Sequence, residues 1–207
     1  MEPYSDSIED LFSMIRRGEI KLPRFQRHEA WNRNQIVSLL ENVLRKPPLP
    51  IGAMLTLNID GEEPFHSRFI VGAPQPNQKI PKRHLLDGQQ RLTALWRCLT
   101  GSYNMKVFVS LDADKSAQGG EEHDIEVDAP QVEGVKRWDR KGVLQPVWVD
   151  SPHEAYERKL LPATVLQPGA EGERLCNEWL NVLHISAEDR LDLYKRISKL
   201  RERVAHY

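Results

Sequence analysis

Residues 84–101, HLLDGQQRLTALWRCLTG, constrain this chain more than any other stretch. A short apolar run, His84-Leu85-Leu86, reaches Asp87-Gly88 and passes without a spacer into a helical pattern. That pattern buries Leu92, Leu95, Trp96 and Leu99 and stops at Gly101. A core strand that turns directly into a core helix belongs to layered architectures in which helices cover a sheet. Yet Asp87, Gln89, Gln90 and Arg91 crowd that turn with hydrogen-bonding capacity. Either the junction is a site, or the polar groups serve the turn itself.

The rest of the sequence supplies layers on both sides of this unit. SDSIEDLFSMIRRGEI opens with Ser7-x-x-Asp10, repeats apolar residues at helical spacing and stops at Gly18, a short amphipathic helix. NRNQIVSLLENVLRKPP is a second helix, capped by Asn32 with Gln35 and ended by Pro47-Pro48. IGAMLTLNI and RFIVGA read as strands about the turn Asp60-Gly61, and MKVFVSLDA and HDIEV as strands about an acidic loop. VLQPVWVD reads as one more strand, at an edge because Pro146 has no N–H. From 171 onward the pattern turns helical, with a stripe at Cys176, Trp179, Leu180 and Leu183 and another at Leu193, Ile197, Leu200 and Val204. The second pattern ends without a Gly or Pro stop, which predicts that a further C-terminal region follows. The expectation is an α/β (α+β) fold, a mixed sheet flanked by helices over residues 1–170, with a helical segment at 171–207.

Several classes are set aside. No run approaches the length of a membrane span, and the acidic N-terminus has no apolar signal core, so the expected location is cytoplasmic with no membrane partner. Cys98 and Cys176 each sit beside apolar residues in helical patterns, as reduced core thiols do. The seven histidines show no HxxxH or HxH spacing, neither cysteine has a CxxC partner, and no GxxxxGK[ST], GxGxxG or GxSxG motif occurs. His84 reads as a strand-edge residue and Trp31 as a core anchor. The acidic loop Asp112–Asp124 matches no EF-hand order and reads as solvated.

The net charge of −1 is unevenly distributed. Residues 16–46 carry eight Lys/Arg against three acids, residues 79–106 six against Asp87 alone, and residues 107–134 eight acids against Lys115. If the two basic segments meet in space they form a face for a polyanion; otherwise they are solvated helix surfaces.

At the junction, Asp87 as N-cap would pair with Gln90, and Gly88 would let another group approach closely. The free N–H groups of Gly88, Gln89 and Gln90 suit a phosphate, with Arg91 offering a guanidinium fork. The alternative is that Asp87 only caps the helix and pairs with Arg91 four residues on. A second polar cluster, Arg24, Gln26 and Arg27, alternates with Leu22, Pro23 and Phe25. An extended backbone there would send Arg24 and Gln26 one way and Phe25 and Arg27 the other. That suits a strand lending cations to a groove, and equally an edge strand protected by charge.

Taken in order, LPRFQRHEAW, a helix, PPLPIGAMLTL and LLDGQQRLTAL resemble the N-terminal domain of the GmrSD family of modification-dependent restriction enzymes, of the ParB/sulfiredoxin-like class. The family pattern is I/L-P-x-F/Y-Q-R, then a strand entered by P-I-G, then D-G-Q-Q-R-L. It is followed closely over roughly residues 7–110 and loosely beyond. His28, Glu29 and Ala30 depart from the aromatic or β-branched character usual before Trp31. The resemblance implies binding and hydrolysis of a nucleoside triphosphate (NTP) with Mg²⁺, coupled to recognition or cutting of modified foreign DNA. It further implies a C-terminal helical or nuclease region beyond this segment. Carried over by position, Asp87, Gly88, Gln89, Gln90 and Arg91 form the phosphate and metal end of a pocket, and Arg24, Gln26 and Arg27 close its other side. Arg91 would stabilise phosphate charge, Asp87 would position Mg²⁺ or a water, and Gln89 or Gln90 would orient the attacking water. Two other readings remain: a non-catalytic DNA-binding or sensing module gripping phosphates with the same residues, and a ParB-like nuclease domain. The nuclease reading lacks a paired carboxylate metal site.

Overall fold

A computed structural model describes residues 6–77, 80–112 and 128–207. Helix α1 (Ile8–Arg16) begins at the expected capping box: the Asp10 N–H donates to Ser7 Oγ at 3.1 Å while Asp10 Oδ2 accepts from the Ser7 N–H. Gly18, at φ 69°, reverses the chain into strand β1 (Ile20–Pro23), which is buried at every position. Helix α2 (Arg33–Leu44) carries the Asn32–Gln35 capping box. Strands β2 (Leu55–Asn58), β3 (Ser67–Arg68) and β4 (Arg83–Asp87) follow, and β4 feeds helix α3 (Gln89–Leu99). These strands form one mixed sheet in the order β2-β4-β1-β3, with β1 and β4 parallel and the other pairs antiparallel.

A second, antiparallel sheet, β6-β5-β9, is built from β5 (Met105–Ser110), β6 (Val132–Lys136) and β9 (Leu160–Pro162). Strands β7 (Trp138–Arg140) and β8 (Val143–Gln145) make a separate hairpin, and α4 (Pro152–Glu157), α5 (Ala170–Asn181) and α6 (Ala187–Ala205) complete the α+β architecture. One apolar core joins these layers. Phe12, Ile15, Ile20, Leu40, Leu85, Leu92 and Leu99 are shielded from solvent, and Phe12 meets Trp96 edge-on at 5.0 Å. Cys176, Trp179, Ile197 and Val204 of α5 and α6 belong to the same core. Burial pushes the free Cys98 thiol up to about 12 and Cys176 up to about 11, so both stay protonated and serve as packing groups. Among the described residues no helix is long and apolar enough to cross a membrane.

Four sequence expectations are corrected. VLQPVWVD is not one strand: β8 ends at Gln145 and residues Val147–Asp150 form a 3-10 turn, since Pro146 interrupts the ladder. RFIVGA contributes only Arg68 to a strand before the chain turns at Val71-Gly72. His84 sits on β4, an inner strand, fully buried, with Nε2 2.8 Å from Glu63 Oε1. Trp31 is half-buried and packs against the core from outside. HDIEV and most of the acidic loop lie outside the described residues.

Candidate functional site

Strand β4 ends at Asp87, and Gly88 carries the turn at φ 86°, ψ 6°, a left-handed conformation that L side chains adopt at a cost. The N-cap is therefore Gly88, with no side-chain cap, and not Asp87 as the sequence suggests. The group that exploits the absent Cβ is internal: a Cβ on Gly88 would lie 2.8 Å from Met54 Cγ and 3.2 Å from an Arg91 nitrogen. Asp87 points outward, its side chain 73% exposed, with Oδ2 3.4 Å from Arg91 Nη2. Arg91 also donates to the Ala53 carbonyl, and Gly52 allows that approach, because a Cβ there would lie 2.9 Å from Arg91 Nη1.

The second cluster is not extended. Gln26 N–H closes a turn onto the Pro23 carbonyl at 3.1 Å, so Arg24 and Phe25 occupy a turn beyond β1, and the strand alternation expected there does not exist. Nor is β1 an edge strand, since β4 and β3 flank it. The structure does bring the two clusters together, through three glutamines. Gln26 Nε2 donates to the carbonyls of Leu85 and Leu86 at 2.7 and 2.8 Å. Gln89 Nε2 donates to the Arg27 carbonyl at 2.6 Å. Gln90 uses both amide ends, accepting from the Ala30 N–H at 2.9 Å and donating to the His28 carbonyl at 3.2 Å. Residues 26–30 have no ladder of their own, and these side chains supply their backbone partners.

On the turn after β1 the outward side chains are cationic and aromatic. Arg24 and Arg27 are exposed; Arg24 Nε reaches the Ser67 carbonyl at 3.3 Å, and the Arg27 side chain has no partner among the described residues. Phe25, 69% exposed, packs edge-on against Phe65 at 5.2 Å. The broad basic face that the sequence allows is much reduced by internal pairing. Glu19 takes Arg17 and Lys82, Asp6 takes Arg83, and Glu29 takes Arg97. Hydrogen bonds from Arg17 and Lys82 hold the Glu19 carboxyl at about 2 against the opposing effect of burial.

Sequence reasoning missed Arg68, whose Nη2 donates to the Arg27 carbonyl at 3.0 Å, and Glu29, which receives both Arg97 and the Tyr103 hydroxyl. Burial first, and the Glu29 hydrogen bond second, raise the Tyr103 phenol far above its usual range. Nothing in the local pattern marks Arg68; an acid inside a basic segment was the one signal for Glu29. The seam also contains orphaned atoms: Gln26 Oε1, Gln89 Oε1 and Arg91 Nε are closed off from solvent and lack partners. Such atoms are costly unless a ligand or a small rearrangement satisfies them.

The donor set suits a polyphosphate. Arg91 stands in the first turn of a helix whose first N–H groups lack a side-chain cap, and the backbone of Arg27 is tied to that turn through Gln89. For Mg²⁺ the protein offers the Asp87 carboxylate, which suffices where phosphate oxygens and water complete the shell.

The fold and this junction define a mixed α+β domain in which an inner strand turns through glycine into a core helix. The chain belongs to the family of the N-terminal domain of GmrSD restriction endonucleases, which matches over residues 8–196. That sets it in a restriction-enzyme context. An uncharacterized protein of Methanocaldococcus jannaschii, MJ0686, is 39% identical over 92 residues, which is 42% of this chain and 16% of that protein. The chain thus aligns with only a small part of its curated relative.

Proposed function

We propose that this chain is the nucleoside-triphosphate-binding and -hydrolysing domain of a DNA restriction system that recognises or cuts modified DNA. The observation that carries the reading is the glutamine stitching: two polar segments some 60 residues apart are fastened backbone to side chain, with Arg24, Arg27 and Asp87 exposed on them and Arg91 half-buried. Arg24 and Arg27 hold the phosphate chain from the turn. Arg91, fixed by the Ala53 carbonyl, meets the charge that develops on the transferred phosphoryl group. Asp87 supplies the protein ligand to Mg²⁺, which would neutralise phosphate charge. Gln90, with both amide ends engaged, positions residues 28–30. Gln89, whose oxygen is unpartnered, is the glutamine left to orient a water once the seam opens to it.

Calorimetry with nucleoside triphosphates, with and without Mg²⁺, tests this directly. Arg27→Ala should weaken binding roughly 10- to 100-fold, as loss of a charged hydrogen bond does. Asp87→Asn should abolish the Mg²⁺ dependence, and Lys199→Ala, an exposed position on α6, should change neither. No triphosphate binding by the unaltered chain, or equal binding by the Arg27 variant, sinks the reading. A second reading, a non-catalytic grip on DNA phosphates, is favoured by the exposure of Arg24 and Phe25 on one turn and of Arg27 just beyond it. It predicts DNA affinity that falls with Arg27→Ala and needs no nucleotide.

A further inference from the structure

We infer that the β7–β8 hairpin is a duplex-DNA docking element, separate from the β4–α3 junction. The inference rests on DNA being the polymer this domain serves. The hairpin pairs Trp138 with Gln145, Asp139 with Leu144 and Arg140 with Val143. Lys141 and Gly142 turn its tip with φ values of 57° and 80°, and the Gly142 N–H donates to Asp139 Oδ1 at 3.1 Å. Consecutive left-handed residues are what a tight hairpin of this twist requires. Strand alternation then puts Trp138, Arg140, Val143 and Gln145 on one face.

That face is open to solvent at three of its four positions. Trp138 is 56% exposed and Val143 51%, and neither packs into the apolar core. The side chains of Lys136, Arg140 and Lys141 are exposed and have no partner among the described residues. An isolated two-stranded hairpin is marginal in water, yet this one is mounted firmly at its root. Arg137, almost wholly buried, grips Asp150 through two bonds of 2.9 and 2.6 Å and reaches the Leu144 carbonyl at 3.4 Å. Its hydrogen bonds hold the Asp150 carboxyl below the ordinary carboxylate range. The one basic residue that is neutralised is thus the anchor, and the others stand free around an open indole.

Duplex DNA is the occupant that fits this combination. A major groove about 12 Å wide admits a two-stranded ribbon, whose tip cations then meet flanking phosphates while the apolar face meets base edges. A second copy of this chain fits poorly, because each hairpin would present the same unneutralised cations to the other.

The test is fluorescence anisotropy of a labelled duplex titrated with the whole chain over a range of salt, with triphosphate calorimetry on the same samples. Arg140→Ala/Lys141→Ala should weaken binding and reduce the salt slope by about 2, one for each DNA phosphate that is no longer neutralised. Trp138→Ala should weaken binding with the slope unchanged. Both variants alter exposed side chains, and both should keep the nucleotide affinity of the unaltered chain. Duplex affinity and slope that survive these changes but fall with Arg27→Ala would overturn the hairpin assignment and leave DNA at the junction. No duplex binding by the unaltered chain would overturn the inference too, and the calorimetry would then judge the nucleotide reading alone. Concentration-dependent dimers in sedimentation, absent in Trp138→Ala, would overturn it in favour of self-association.

Discussion

Residues 24–31 and the hairpin at 138–145 look alike from outside: each presents an exposed aromatic beside unneutralised cations. They are held in opposite ways. The first has no ladder, and its backbone is fastened by Gln26, Gln89, Gln90 and Arg68, the last three from distant segments of the chain. The second carries its own ladder and is tied down by one buried arginine. Side-chain clamps exist only while the distant elements are in place, whereas a ladder closes locally. The first region should therefore fail together with the whole fold, and the second should be able to open alone.

The most disruptive way to break this comparison is Gly88→Ala. It forces a side chain into a left-handed turn and against Met54, and should cost about 2–4 kcal/mol in urea unfolding. Gln90→Ala removes both bonds to residues 28–30 and should cost about 1–3 kcal/mol, with triphosphate affinity falling alongside stability. A stable Gln90→Ala protein with full affinity would show that the clamp does not shape the junction.

The next effect depends on pH. Glu19 sits at about 2 in the folded chain against 4.5 as its ordinary value, so its contribution is complete above 4.5 and is lost as pH falls toward 2. Glu19→Gln should flatten the stability profile across that window and leave the hairpin unaffected. Equal acid sensitivity in both proteins would remove Glu19 from the account. Smallest in global terms is Arg137→Ala, about 1 kcal/mol, because Asp150 lies at the surface. Amide exchange should nevertheless accelerate across 138–145 while α3 stays protected, and uniform acceleration would show that the hairpin is part of the cooperative core.

Much of this molecule is legible in its sequence for local reasons. Ser7 with Asp10, Asn32 with Gln35 and Ser186 with Asp189 announce helix starts, because a capping side chain and its backbone partner lie three residues apart. The family pattern likewise implied that the two polar segments meet, and glutamine side chains do join them. The three-residue strands β7, β8 and β9 carry too few positions for alternation to show. Asp87 and Gly88 exchange the capping role because the left-handed turn leaves the aspartate outside the helix.

The sequence by itself determined the α+β composition, the helix boundaries set by caps and glycines, and the strand–glycine–helix junction. Only the tertiary structure decided what the polar residues there do. A glutamine amide bonds whichever backbone group is brought to it, and the partners of Gln89 and Gln90 lie some 60 residues away. The same holds for the cations: Arg97 meets Glu29 and Arg137 meets Asp150 only after folding, while Arg27, Arg140 and Lys141 are left facing solvent. Charge is written along the chain, but neutralisation depends on distance in space.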